Sequence, residues 1–243
     1  MADRTRPPRS ARNARVRRTE PRTTFGRRPV LWIAIGIVLI VGMIVAAWFT
    51  PVLSVRKIAI EGLGAVPEEQ VRAALEVEDG TPLLRLDTNG AAARVAAIPR
   101  VAKVRVQRVY PSTVRVTVTE RMAAVFIDSE QGTHLLDAEG VDFAVEPPPP
   151  GVPRLNTKSP GAADESTMAA LAVVTALPEP LRVQVKEVAA ESISDISLTL
   201  FDDRQIIWGT SADSERKAAV ALPLLTQPGR VYIVSSPGLV SVR

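Results

Sequence analysis

Ala102-Lys103-Val104-Arg105-Val106-Gln107-Arg108-Val109-Tyr110-Pro111-Ser112-Thr113-Val114-Arg115-Val116-Thr117-Val118-Thr119 holds two runs that alternate apolar and polar residues, Ala102 to Gln107 and Val114 to Thr119, with a break around Tyr110-Pro111-Ser112 between them. A period of two marks strands with one covered face and one wet face. Ala102, Val104 and Val106 take the covered side of the first strand, and Val114, Val116 and Val118 that of the second. The break predicts the turn between them.

The pattern extends upstream into a small α/β unit. Val55-Arg56-Lys57-Ile58-Ala59-Ile60 predicts a strand closed by a turn at Glu61-Gly62. Pro67 is expected at the first position of a helix, with Glu68 and Glu69 in its favourable first turn and Val71, Ala74 and Leu75 on its apolar face. Asp79-Gly80 ends that helix, and Thr81-Pro82-Leu83-Leu84-Arg85-Leu86 crosses to the next element. Ala91 to Ala97 predicts a second helix that stops before Pro99. The order over residues 53–121 is therefore β-α-α-β-β.

Further upstream, Val30 to Phe49 is twenty residues without a charge. A helix of that length rises about 30 Å, the thickness of a bilayer's hydrocarbon core. Trp32 near one end and Trp48 and Phe49 at the other suit an aromatic belt. Residues 1–28 hold ten Arg and two acids, a formal +8, which leaves −4 for the rest of a chain of net charge +4. The basic pI thus comes from a tail, expected to be disordered over 1–29 and cytoplasmic by the positive-inside rule, with a span over 30–49. A cleaved signal peptide, with Ala46 and Ala47 as its small residues, is the competing reading, but its apolar core and basic lead would be shorter.

Downstream of Arg121 a second unit, 122–243, is expected. Ala123–Ile127, Thr133–Leu136 and Val141–Val145 read as a meander of short antiparallel strands. The prolines from Pro147 to Pro150 predict an extended surface connection. A helix is expected over 164–177, closed by Pro178, and another over 213–226, kinked or cut short by Pro223. Between them lie strands at Val185–Ala190, Ile196–Phe201 and Arg204–Trp208, with Asp202-Asp203 as a tight turn. Arg230–Val234 and Leu239–Val242 close the unit as a pair. The fold class is α+β: a single transmembrane helix, the β-α-α-β-β unit, and a mixed, mostly antiparallel β-domain with two helices.

Chemistry finds little support. With no cysteine, disulfides, thiol catalysis and Cys-based zinc sites are excluded. His134 is the only histidine and has Asp137 three positions away, but no G-x-S-x-G supplies a nucleophile. Glu139 and Asp142 sit at a hairpin where solvated acids are routine, and Gly62-Leu63-Gly64 lacks the third glycine of a phosphate loop. No catalytic, cofactor-binding or metal-binding residue is assigned.

Several motifs together carry a family resemblance. The β-α-α-β-β order, the Thr81-Pro82-Leu83-Leu84 crossing and Ile98-Pro99-Arg100-Val101-Ala102-Lys103-Val104 resemble a POTRA domain. Tyr110-Pro111-Ser112-Thr113 through Thr119-Glu120-Arg121 is similar to the "WPxTxxIxVxER" close of the FtsQ/DivIB family of bacterial cell-division proteins. Leu136-Asp137-Ala138-Glu139-Gly140, Trp208-Gly209 and Pro228-Gly229-Arg230-Val231-Tyr232-Ile233-Val234-Ser235-Ser236-Pro237 resemble that family's β-domain motifs "LxDxxG", "WG" and "PGxVYxVSSP". Tyr110 and Arg100 stand where Trp is common, and Ile233 where an acid often stands. The resemblance covers roughly 27–243.

The resemblance implies a non-enzymatic, single-pass type II plasma-membrane scaffold of the division machinery, enriched at the septum. It also implies FtsB-type and FtsL-type coiled-coil partners and, through them, the septal peptidoglycan synthase; no nucleic acid is expected. Leu239-Val240-Ser241-Val242-Arg243 is short and alternating, and is expected to form a sheet edge able to accept a partner's strand, with Tyr232 on the preceding strand. The alternative function is a POTRA-bearing component of an envelope protein or lipid transport system. The basic tail, the apolar segment and the lack of tandem repeats weigh against it.

Overall fold

The computed structural model describes residues 27–49, with side chains from 31 to 43, and residues 53–243. Helix α1 runs from Arg27 to Phe49, and its described side chains are exposed or nearly so. Among the described residues no helix is long and apolar enough to cross a membrane. The expected tail over 1–29 lies, apart from the start of α1, outside the described residues, as do the side chains at both ends of the expected span.

Residues 50–243 form one compact unit containing two sheets. The first is built from β1 (Lys57–Glu61), β2 (Val101–Val109) and β3 (Thr113–Glu120), with α2 (Glu68–Leu75) and α3 (Thr88–Ala96) between β1 and β2. The spatial order is β1-β3-β2, β1 parallel and β2 antiparallel to β3. Val114, Val116 and Val118 are buried on one side of β3 and pack with Val71, Leu75 and Val95 of the helices. Arg115, Thr117 and Thr119 are exposed on the other side. The alternation in the sequence is thus the division between core and solvent.

Two helix starts differ from expectation. Pro67 is the N-cap of α2, one position earlier, in extended conformation; a residue outside the helix also needs no N–H. Helix α3 begins at Thr88, three residues before the alanine run, because the Asp87 carboxylate accepts hydrogen bonds from the Asn89 N–H (3.1 Å) and the Gly90 N–H (2.9 Å). Arg94 of α3 then donates to the Ala74 and Leu75 carbonyls at 3.1 and 2.5 Å, satisfying the end of α2.

The second sheet has nine strands, in the order β12-β11-β10-β9-β8-β7-β4-β5-β6. They are β4 (Val125–Ser129), β5 (Gly132–Leu136), β6 (Asp142–Val145), β7 (Arg154–Asn156), β8 (Val185–Ser192), β9 (Asp195–Leu200), β10 (Gln205–Gly209), β11 (Val231–Ile233) and β12 (Ser241–Val242). Pairing is antiparallel except at β4–β7, β7–β8 and β10–β11. Helices α4 (Glu165–Ala176), α5 (Glu179–Arg182) and α6 (Ser214–Leu224) supply the rest of the unit. Leu171 and Val174 of α4 and Ala218 and Ala221 of α6 share a core with Leu198, Ile206 and Trp208 of the strands.

Two expectations are corrected here, and one alternative is decided. The β-domain has three helices rather than two, the extra one being the single turn α5, opened by Pro178 at its N-cap with Pro180 in its first turn. Strand β7 follows the proline run where only a connection was expected; three residues are too few to show a period. Helix α6 ends at Leu224, short of residue 226 and just after Pro223, which agrees with the cut-short alternative.

The junction between the two sheets is fastened by charges. Arg121 directly follows β3; its Nε donates to the Pro99 carbonyl at 3.0 Å and its Nη1 pairs with the Asp137 carboxylate. The Asp137 side chain is 3% exposed and also accepts from the Glu139 and Val141 N–H groups at 3.0 and 2.8 Å. Beside it, Arg100 pairs with Glu146 at 2.5 Å and lies 5.9 Å from the centre of the Phe143 ring. One residue earlier in the chain, Glu120 accepts from the N–H groups of Gly64, Ala65 and Val66 at 2.6, 2.9 and 3.0 Å. Its partial burial pushes its pKa up, but these three bonds and the Arg100 charge outweigh that and hold it below the usual value.

Two predictions follow from the junction. Arg121→Ala leaves Asp137 buried without its counter-charge and is expected to cost about 3 kcal/mol, read as a fall in Tm; an unchanged Tm would remove the pair from the junction's energetics. For Glu120 the folded pKa is below the unfolded one, so its contribution is complete above the unfolded value near 4.5 and fades as pH falls through the folded value. Glu120→Gln is therefore expected to be less stable than the parent at neutral pH, with the gap closing in acid below about pH 4.5. Denaturant titrations across pH check this, and a gap that persists undiminished in acid would contradict it.

Candidate partner-binding edge

The candidate site is assembled from the last elements of the chain. After β10, helix α6 crosses over and the chain returns so that β11 lies parallel to β10, with Ile206 opposite Tyr232. Trp208 is wholly buried and donates from Nε1 to the Ser214 hydroxyl at 3.1 Å, joining β10 to the start of α6. Nearby, Lys217 is 2% exposed and donates from Nζ to the Thr210 carbonyl at 2.8 Å. Burial lowers its pKa, partly opposed by the Asp213 charge.

Tyr232 is 1% exposed, so it is part of the packing beneath the edge. Its hydroxyl lies 2.8 Å from the Gln227 carbonyl and 3.0 Å from that of Gly229. Arg204 covers the ring at 5.6 Å and donates to the Leu225 carbonyl at 2.7 Å and, from Nε, to Asp202 at 2.6 Å. The hydrogen bond to Tyr232 raises the Arg204 pKa, burial works against it, and Asp202 adds to the rise. Arg204 therefore ties the Asp202-Asp203 turn to the loop that launches β11. Neither its exposure nor its spacing distinguishes it in the sequence, and the reading there missed it. A Cβ at Gly229 would lie 2.2 Å from Val242 Cγ1, so any side chain there would force Val242 to shift.

Strand β12 pairs with β11 alone, and its other side is the edge of the sheet. It covers Ser241 and Val242 only; Leu239 and Val240, expected in the strand, precede it because Leu239 is still in the turn, its N–H bonded to the Ser236 carbonyl at 3.0 Å. The Arg243 N–H donates to the Val231 carbonyl and the Val231 N–H to Arg243, both at 2.9 Å. In an antiparallel ladder the next residue's backbone groups point the other way. The N–H and C=O of Val242 are thus directed outward. Val240 and Val242 pack against the core, whereas Leu239, at 81% exposure, Ser241 and Arg243 are exposed.

Elsewhere the geometry offers less. His134 Nδ1 lies 2.6 Å from Asp142, not near Asp137, which is held by Arg121. Its Nε2 is buried without a hydrogen-bond partner. Among the described residues no group of three or more His, Cys, Asp or Glu could hold a metal ion. A cleft of about 570 Å³ opens beside the junction, where Met122, Phe143, Pro149 and Val183 line it with the paired Arg100 and Glu146.

Comparison with known proteins bears on the family of the chain. A family described as "POTRA domain, FtsQ-type" matches residues 53–121, and "Cell division protein FtsQ/DivIB, C-terminal" matches 124–235. Proteins named "Cell division protein FtsQ" are similar along most of the chain. That of Mycobacterium tuberculosis (strain ATCC 25618 / H37Rv) is 48% identical over 218 residues, 90% of this chain and 69% of that protein. That of Mycolicibacterium smegmatis is 45% identical over 224 residues, 92% and 67% of the two chains. That of Corynebacterium glutamicum is 33% identical over 225 residues, 89% of this chain and 99% of the relative. The two folded regions, their order and these likenesses agree, and the chain belongs to the FtsQ/DivIB family of cell-division proteins.

Proposed function

We propose that the protein is a non-enzymatic, bitopic scaffold of the division machinery that regulates septal peptidoglycan synthesis by binding other membrane-anchored division proteins. The arrangement we propose is a cytoplasmic tail over 1–29, a span over 30–49, a POTRA domain over 53–121 and a β-domain over 122–243. The N-terminus faces the cytoplasm and the protein is enriched at the septum. Family membership supports the division role. The charge step at Arg27-Arg28 followed by twenty uncharged residues supports the topology.

The observation that carries the binding mode is the outward pair of backbone groups on Val242, at the open side of β12. A strand from an FtsB-type partner, itself bound to an FtsL-type protein, would extend the sheet there. Its backbone would supply affinity, and contacts with Leu239, Ser241 and Arg243 would select it. Tyr232 acts from below, by holding β11 in register.

Val242→Pro tests this when set beside Val242→Ala: both trim the side chain that packs on the core, but only proline also removes the outward N–H, and both leave the bonds made by Val231 and Arg243. Co-purification with the partner is expected to fall about tenfold or more for Val242→Pro, roughly the loss of one well-made backbone bond, and to be kept by Val242→Ala although both lower Tm. Undiminished binding would exclude this edge. Imaging of an N-terminal fluorescent fusion is expected to give a septal band before constriction ends, and a uniform envelope signal from a functional fusion would sink the division reading.

A further inference from the structure

We infer that the bare face of the three-stranded sheet is a docking surface for anionic phospholipid headgroups. The inference rests on the membrane-spanning reading above. Helices α2 and α3 cover one side of β1-β3-β2, and the other side is exposed. On that side the register sets Lys57 opposite Thr113, Arg115 opposite Ala59 and Gln107, Thr117 opposite Glu61 and Arg105, and Thr119 opposite Lys103. Four rows on three strands make a plane roughly 20 Å by 10 Å. Four cations stand on it against one acid, Glu61, which is 3.4 Å from Arg115. Lys57, Lys103 and Arg105 enter no ion pair among the described residues.

Two alternatives explain less. Lysine and arginine on an edge strand discourage sheet-to-sheet pairing, which accounts for Lys103 and Arg105 on β2. It does not account for Arg115, on the central strand. An acidic protein segment would be expected to seat in a groove, yet these side chains line neither the cleft beside the junction nor a smaller one around Ala65, Arg100 and Phe143. A broad, mainly cationic face carrying threonine hydroxyls between its cations suits an array of phosphates. The chain beyond residue 28 is net acidic, so this concentration of cations runs against its surroundings. In the sequence only residues 50–52 separate Leu53 from the end of the apolar helix. A bilayer surface is therefore the polyanion that the proposed topology supplies.

The chain contains no cysteine, so Thr117→Cys gives one labelling site at the centre of the face. The full chain, carrying a fluorophore there, would be reconstituted into vesicles of phosphatidylcholine or of phosphatidylcholine with phosphatidylglycerol. Both would contain a lipid with a nitroxide on its headgroup. Quenching is expected on the phosphatidylglycerol vesicles. It should return to the phosphatidylcholine level when Lys57, Lys103, Arg105 and Arg115 are all changed to Gln, with contact weakened about fivefold per charge removed. Equal quenching on both lipids, or none, in a chain that resists alkaline extraction would overturn the docking surface and leave the span standing. A chain released by alkaline extraction would overturn the span and the docking surface together. If soluble poly-glutamate shields the label from iodide where phosphatidylglycerol does not, the face belongs to an acidic protein and the lipid assignment is wrong.

Discussion

Asp137 is an acid almost without solvent, held by the Arg121 guanidinium on one side and by two backbone N–H groups of its own turn on the other. Removing an ion of this kind from water costs several kcal/mol unless its lone pairs are all used. Here one oxygen serves the β5–β6 turn and the other meets a residue that directly follows the first sheet. The turn and the junction therefore form together: the loop geometry that collects the N–H groups also positions the carboxylate for Arg121. Arg100 over Phe143, paired with Glu146, repeats the connection a short distance away. These contacts make the two sheets one compact unit rather than beads on a linker.

At the far side of the same sheet the constraint is different. A two-residue strand contributes few hydrogen bonds, and edge strands are intrinsically open to further pairing. What keeps β12 in place is packing: Val240 and Val242 against the core, Gly229 leaving room for Val242, and Tyr232 held from above by Arg204 and from below by two carbonyls. The edge is thus well positioned yet incomplete as a sheet. That combination suits strand addition, since a receiving strand that is already ordered loses little entropy on binding.

Much of this was legible in the residues. Strict alternation around Tyr110-Pro111-Ser112 determined β2 and β3 because each side chain there has one neighbour type, core or water. Helix α4 was readable from Leu171, Val174 and the closing Pro178. Strand β7 was not, because Arg154-Leu155-Asn156 is too short to have a period and is recruited by pairing with β4 and β8 on either side. The start of α3 was hidden behind Asn89 and Gly90, poor helix formers whose N–H groups are satisfied by Asp87. The apolar alternation of 239–243 anticipated a terminal strand, of which only Ser241 and Val242 pair. Tyr232's burial and Arg204's role depend on contacts more than twenty residues apart in sequence, which no local pattern encodes.

Strand β7 also bears on mechanics. In the hydrogen-bonded order of the sheet it is the sole link between β4-β5-β6, which are fastened to the first sheet, and β8 through β12, which end at the open edge. Its ladder with β4 is a single residue pair, Phe126 with Arg154, supported by the Phe126 N–H to the Pro153 carbonyl at 3.0 Å. Side chains bridge what the backbone leaves thin: Val125, Leu136 and Leu155 share one core with Val188, Leu198 and Trp208. The two halves of the sheet are therefore held together more by their common core than by backbone rungs.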